Sequence, residues 1–321
     1  MYNDSGGAAP GGPDPIAFVL GGGGIRGAVE VGQARALLEA GIEPDLVVGT
    51  SVGAINGAMI AHTPTIDVLD RLVAAWSSDL ARRVYGQPRW QQFARLMRHR
   101  NHFNSPVPLQ RLLVEQLGGD LEFSDLAIPF FAVAASVERA RERWFSSGPL
   151  IPAVMASSAV PGILPPVRID GEHFYDGGLV ASIPLGRAIE EGARTIYVLQ
   201  VGRIEEPLRR PTNVIGSVRV PFEISRRHRF ARELSQVPEG VTVHVMPSGG
   251  LEPGGVGNAS IPTLKGSRDR MQLAYEHSAE FLSAPEDRRP GWNPEGDLSI
   301  ESYRGMTVKG GDAGRFPADV A

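Results

Sequence analysis

The chain contains no cysteine, which excludes disulfides, a thiol nucleophile and cysteine-ligated metals. Lysine is nearly absent. Lys265 and Lys309 are the only two, and arginine carries almost all of the basic charge. No strong charge of either sign is present: the formal net charge is −4, so nothing draws the molecule as a whole to nucleic acid. Long apolar runs are also missing. The two longest uncharged stretches are Leu46 to Ala61 and Trp144 to Val167, and neither is read as a membrane span. The second holds Pro149, Pro152, Pro161, Pro165 and Pro166, which a spanning helix would not tolerate. Met1 to Asp14 is polar and rich in glycine and proline, with no basic segment ahead of an apolar core. It reads as a flexible leader and not as a signal peptide, which makes the cytoplasm the default address.

What remains is an ordinary globular composition, 42% hydrophobic and 21% charged over 321 residues. That is enough for a sizeable core in one large α/β domain or two small ones. Ile16 to Leu20 is a short continuous apolar run suited to a buried parallel strand. It enters the loop Gly21 to Gly27, and Ala28 to Ala40 follows with helical spacing and a stop at Gly41. Leu46 to Val48 predicts a second strand and Val52 to Ala61 a helix of small residues, a βαβ unit. Ile66 to Leu117 reads as helical, with breaks near Pro88 and Pro106 and a basic cluster of Arg95, Arg98, His99, Arg100 and His102. Pro129 to Ser136 reads as a buried strand that Arg143 to Ser146 pairs across a charged turn, and Ala153 to Ser158 as a short helix. Asp170-Gly171 between two short strands is a type I′ hairpin signal. Pro184 to Glu191 and Arg268 to Leu282 read as helices, and Thr195 to Gln200 and Val241 to Met246 as strands. Arg203 to Arg232 has eight arginines against three glutamates, with a helix near Ile224 to Leu234 expected to be a solvated face. Everything beyond Ala284 is polar and reads as a tail.

Three motifs carry chemistry. Gly49-Thr50-Ser51-Val52-Gly53 is a G-x-S-x-G turn between strand and helix, where the chain reverses within one residue and the serine Oγ stands proud of the sheet at a helix N-terminus. The loop Gly22-Gly23-Gly24-Ile25-Arg26-Gly27 fits two uses. It matches the dinucleotide fingerprint, but that also requires an acidic residue at the end of the second strand, where Ser51 stands instead. The other use is an oxyanion hole, in which the N–H groups of Gly23 and Gly24 converge on one point. A serine nucleophile also needs a base. His62, His99, His102, His173, His228, His244 and His277 all lie downstream, none in a recognisable catalytic loop. Asp176 is the better candidate, because Gly177 and Gly178 behind it permit close approach to another loop.

These blocks, together with Ala156-Ser157-Ser158-Ala159-Val160-Pro161 and Pro165-Pro166, resemble patatin-like phospholipases of the compact bacterial kind over roughly Ile16 to Leu282. The resemblance implies a three-layer α/β/α fold with a mainly parallel sheet, in a domain spanning 15–283 between the leader (1–14) and the tail (284–321). It implies hydrolysis of fatty acyl esters in lipids by a Ser51–Asp176 dyad without histidine. Gly22, Gly23, Gly24 and Arg26 would form the oxyanion hole, supported by Gly27, Gly49, Gly53, Gly177 and Gly178. No metal or cofactor is expected, and the implied partners are a lipid substrate and a peripheral membrane contact. One departure stands out: family members often carry asparagine a few residues after D-G-G, and this chain has Ser182. Three alternatives stay open: an α/β-hydrolase-type esterase with a histidine base, a nucleotide-binding module using the glycine loop, and a lipid-binding regulator whose dyad turns over slowly.

Overall fold

The computed structural model describes residues 14–78, 104–202, 208, 210–212, 214–249, 266–286, 289 and 305–311. The expected basic cluster at Arg95 to His102 lies outside the described residues. Among those described, nine strands form one sheet. They are β1 (Ile16–Leu20), β2 (Leu46–Thr50), β3 (Phe130–Ser136), β4 (Arg141–Phe145), β5 (Val167–Ile169), β6 (Glu172–Asp176), β7 (Thr195–Leu199), β8 (Thr242–Val245) and β9 (Met306–Lys309). The order is β5-β6-β3-β2-β1-β7-β8-β9, with β4 also paired to β3. Five neighbours, β3, β2, β1, β7 and β8, run parallel. The antiparallel strands sit at the margins.

The central strands are apolar along most of their length because both faces are covered. Alternate residues of each strand enter two separate cores. Phe18, Leu20 and Val47 join one core with α1 (Ala28–Glu39), α2 (Val52–His62), α3 (Val68–Ser77), α4 (Val107–Leu117), α5 (Leu150–Ser157) and α8 (Ser267–Ser283). Ala17, Val19, Leu46 and Val48 join the other with α6 (Leu185–Glu190) and α7 (Val214–Leu234). The fold is therefore a three-layer α/β/α sandwich around a mainly parallel sheet. The chain winds from β1 outward through β2 to β3, then returns to lay β7 on the other side of β1. Strand order reverses at β1, and open α/β sheets bind ligands at the carboxyl ends beside such a reversal.

One feature of the pairing positions everything that follows. β4 occupies one edge of β3 along Ala132 to Ser136. β2 and β6 must then share the other edge, β2 beside Phe130 to Val133 and β6 beside Ala134 to Ser136. β2 is parallel to β3 and β6 antiparallel, so their carboxyl ends meet head-on. Thr50 pairs with Val133 and Asp176 with Ala134, which brings the residue after Thr50 to the end of β6. The hairpin feeding β6 turns through Asp170 (φ 49) and Gly171 (φ 84), the two positive angles of a type I′ turn.

Two elements differ from the sequence reading. α7 begins at Val214 and runs through Pro221, where local propensity predicted a helix only from about Ile224. Packing of Phe230 and Leu234 into the second core outweighs the one backbone bond that proline forgoes. The stretch expected as a polar tail contributes β9, which closes the sheet against β8. Its Met306 and Val308 complete the second core, and a run of four residues in polar surroundings carries too little periodicity to be seen beforehand.

His244 on β8 reports on that closure. It is buried, stacks on Tyr197 at 4.9 Å and shares a 3.0 Å hydrogen bond with Thr307 on β9. Burial lowers its pKa from 6.5 to about 4, Arg289 and Lys309 acting the same way and Glu286 against. The folded state thus resists protonation. The associated stability is present above about pH 6.5 and is lost as pH falls toward 4, up to about 3 kcal/mol. Urea denaturation of His244→Gln should therefore give a flatter stability profile than wild type between pH 7 and pH 4.5. Parallel profiles would refute the assignment.

Candidate active site

Ser51 lies between β2 and α2 with φ 57 and ψ −122, a left-handed backbone angle that costs a non-glycine residue of order 1–3 kcal/mol. Gly49 and Gly53 make that turn sterically feasible. A Cβ on Gly49 would stand 2.5 Å from the Gly53 carbonyl oxygen, and one on Gly53 would stand 2.3 Å from that of Leu20. Both neighbours are backbone and cannot yield. The strained residue is braced by α5 and the residue after it. The Ser51 N–H donates to Ser157 Oγ at 2.9 Å, and Ser158 Oγ donates to the Ser51 carbonyl at 3.1 Å. Thr50 Oγ1 donates to the Ala181 carbonyl at 2.7 Å.

Asp176 ends β6, and the head-on meeting of β6 with β2 brings it to Ser51. Ser51 Oγ donates to Asp176 Oδ2 at 2.6 Å, and the Gly178 N–H donates to Oδ1 at 2.7 Å. Both side chains are deeply buried, Ser51 at 6% and Asp176 at 4% exposure. Burial raises the Asp176 pKa from 3.8 to about 6, against the two hydrogen bonds from Ser51 and Gly178 that lower it. Gly177 is required because a Cβ there would meet the Val133 carbonyl oxygen at 2.2 Å. The Asp176 N–H donates to the Ala159 carbonyl at 3.0 Å. Residues 157–159 therefore hold both members of the pair. No local spacing rule relates residue 157 to residue 51, so sequence reasoning missed Ser157 and Ser158; their place in the A-S-S-A-V-P block was the one available signal.

The glycine loop runs beside this pair, and a Cβ on Gly22 would lie 3.4 Å from Ser51 Cβ. The Gly21 N–H donates to the Leu199 carbonyl and the Gly22 N–H to the Ser182 carbonyl, at 2.9 and 2.8 Å. This corrects one expectation: the Gly22 amide is committed to Ser182 and has no proton to offer an oxyanion. Among the described residues the amides of Gly23 and Gly24 donate to no acceptor. Ser182, the departure from the family pattern, thus anchors the loop through its backbone. Burial by itself would raise the pKa of Glu223 on α7; Arg226, Arg227 and Arg26 outweigh it and hold the carboxyl below its ordinary value, which places Arg26 near that helix. Gly27 sits against α2 and α3, where a Cβ would fall 2.2 Å from Val52 Cγ2.

Among the described residues no histidine hydrogen-bonds Ser51 or Asp176. His62 contacts Thr63, His173 pairs with Glu138 on the surface and His244 with Thr307. His228 and His277 sit on α7 and α8, and His99 and His102 lie outside the described residues. β2 ends in Gly49-Thr50 without the carboxylate a dinucleotide ribose needs.

A parallel α/β/α fold, a serine on a strained strand-to-helix turn and a carboxylate bonded to its hydroxyl define the class. A family model described as patatin-like phospholipase matches residues 18–189, and the chain belongs to that family. It is 34% identical over 197 residues to patatin-like phospholipase domain-containing protein ZK370.4 of Caenorhabditis elegans, covering 60% of this chain and 14% of that one. It is 32% identical over 193 residues to patatin-like phospholipase domain-containing protein 7 of Rattus norvegicus, with the same coverage. With lysophospholipase nte1 of Aspergillus terreus it shares 30% identity over 191 residues, 60% of this chain and 12% of the other. The matched region is thus a small fraction of each of these longer proteins. The crystal structure of VipD from Legionella pneumophila aligns with TM-score 0.45 at 14% identity, over 84% of this chain and 66% of that one.

The raised pKa of Asp176 is also a statement about stability. A carboxyl whose folded pKa exceeds its unfolded one stabilises the fold below about pH 4 and ceases to do so as pH rises through 6. At pH 8 the ionised group costs up to about 3 kcal/mol. Asp176→Asn should therefore be more stable than wild type to urea at pH 8 and no more stable at pH 4. Equal stability at pH 8 would show that burial does not strain this carboxylate.

Proposed function

We propose that this chain is a serine acyl hydrolase acting on the fatty acyl esters of phospholipids or lysophospholipids, within one domain that spans residues 15–283 and also takes in β9. The observation that carries the reading is the 2.6 Å hydrogen bond from Ser51 Oγ to the buried Asp176 carboxylate, beside a loop with two unengaged amides. Membership of a family described as patatin-like phospholipases and relatives that include a lysophospholipase support a lipid ester as substrate.

Asp176 takes the Ser51 hydroxyl proton as Oγ bonds to the ester carbonyl carbon. The carbonyl π electrons move to oxygen, and the Gly23 and Gly24 N–H groups receive the resulting oxyanion. One such donor contributes about 2.7–4 kcal/mol in comparable sites. Collapse expels the alkoxide, which takes the proton from Asp176 and leaves an acyl-serine. Asp176 then deprotonates water as its oxygen bonds to the acyl carbon, and collapse of this second adduct frees the fatty acid and expels Ser51 Oγ, which takes the proton back from Asp176. An ordinary aspartate is a weak base for this work, and a pKa near 6 brings it closer to the working range.

Access by a lipid surface is supported by two exposed apolar side chains at the site. Leu179, 40% exposed, directly follows the Asp176-Gly177-Gly178 turn, and Phe222, 39% exposed, reaches within 3.9 Å of a Cβ on Gly178. Three arginines of α7 are engaged within the chain, Arg226 and Arg227 with Glu223 and Arg229 with Glu233 and Glu142. Apolar contact therefore outweighs helix charge in this reading. Among the described residues no helix is long and apolar enough to cross a membrane.

Product analysis on lysophospholipid, phospholipid and p-nitrophenyl esters tests the proposal. Ser51→Ala should release no fatty acid and lose fluorophosphonate labelling, and Asp176→Asn should lose about 10²–10⁴ in kcat. Wild-type kcat/KM should rise with pH through about 6 and then level, since the base must be ionised. A histidine variant as inactive as Asp176→Asn, with its fold intact, would restore the histidine-dependent mechanism. Leu179→Ser with Phe222→Ser should lower turnover on lipid vesicles several-fold more than turnover on a soluble short-chain ester. Equal losses on both would argue against the apolar rim as a lipid contact.

A further inference from the structure

A loop made of glycines cannot hold itself, because it has no side chains to anchor and the most backbone freedom to lose. Its entry is pinned by the two backbone bonds to Leu199 and Ser182. Its exit is pinned by a side chain of the serine's own helix. Asn56, further along α2 from Ser51 and 1% exposed, donates from Nδ2 to the Gly27 carbonyl at 3.0 Å. The same Nδ2 donates to Glu30 Oε2 on the first turn of α1 at 2.7 Å. Trp76 Nε1 on α3 donates to Asn56 Oδ1 at 3.1 Å. An indole N–H can only donate and a peptide carbonyl can only accept, so these two partners fix which way the amide faces. One side chain thereby joins the last residue of the glycine loop, the helix that follows the loop, the helix that starts at Ser51 and α3.

We infer that Asn56 is a positioning residue, a strut that sets the distance between the unengaged Gly23 and Gly24 amides and Ser51 Oγ. The inference deepens the acyl-transfer reading and rests on it. Beside that bond Gly27 faces apolar groups, a Cβ there standing 2.2 Å from Val52 Cγ2 and 2.7 Å from the Trp76 ring. Glu30 is fully buried, and burial raises its pKa well above the carboxylate range, against the Asn56 bond and the field of Arg226. What the strut takes from Glu30 is an acceptor oxygen at 2.7 Å, and a side-chain amide in its place offers one too.

Without the strut the loop drifts relative to Ser51, and a displacement near 1 Å can cost about 10²-fold in rate. Steady-state kinetics on a p-nitrophenyl ester, well below each variant's own Tm, provide the test. Asn56→Ala should lower kcat about ten- to hundred-fold with KM within about two-fold of wild type. Trp76→Phe, which keeps an aromatic ring but removes the N–H along with part of the indole, should lose about three- to ten-fold in kcat. Glu30→Gln, which keeps an acceptor for Asn56, should retain at least about half of the wild-type kcat. The acid limb of the pH profile should stay in place in all three, since Asp176 is untouched. If Asn56→Ala and Trp76→Phe lower Tm but turn over as fast as wild type, or if KM rises while kcat holds, the strut is refuted. A wild type with no Ser51-dependent ester hydrolysis would overturn the acyl-transfer reading and the strut together; an active wild type beside an equally active Asn56→Ala would overturn the strut alone.

Discussion

The molecule depends on the shared edge of β3. Because β4 takes one side of that strand, β2 and β6 are forced onto the other and end against each other. Strand pairing has a fixed register, and a slip of one residue would turn every side chain to the opposite face. The meeting of Ser51 with Asp176 is thus held by backbone ladders, which are stiff, and not by long side chains, which are not. A hydroxyl–carboxylate contact of 2.6 Å follows from where two strands stop.

That geometry concentrates unfavourable terms in one place. Ser51 carries a left-handed backbone angle, Asp176 is a carboxylate withdrawn from water, and two glycine amides lack acceptors among the described residues. The backbone angle and the buried carboxylate would each be unfavourable alone, and strain of this kind persists only where the surroundings over-determine it. Ser157 and Ser158 clamp both sides of the Ser51 peptide, the Ala159 carbonyl holds the Asp176 N–H, and Asn56 with Ser182 grips the glycine loop at its two ends. The small residues around the site have a common cause. They let backbones approach to distances that any Cβ would forbid, at Gly49, Gly53 and Gly177 alike. Stability is gained in the two cores, and the site draws on it.

Much of this was legible in one dimension. The apolar runs of β1, β2 and β3, the Asp170-Gly171 hairpin and the G-x-S-x-G turn each depend on neighbours within a few residues, and local pattern is what a sequence displays directly. Less legible were features set by distant contacts. α7 continues through Pro221 because its far end packs into a core; β9 is a strand because β8 offers it an edge. The assignment of Gly22 to the oxyanion hole failed for the same kind of reason, since its amide is engaged by a carbonyl from Ser182.

The sequence by itself determined the kinds of chemistry open to this protein: hydroxyl, carboxylate and bare amides, with thiols excluded. It also determined the turn that presents the serine, because steric demands of one residue on the next are written locally. Tertiary structure alone decided which carboxylate the serine would meet, which amides would stay unengaged and which side chains would hold them in place. Those choices arise from the register of β2 and β6 along a third strand and from the desolvation of Asp176 between packed layers, and both exist only once the chain has closed on itself.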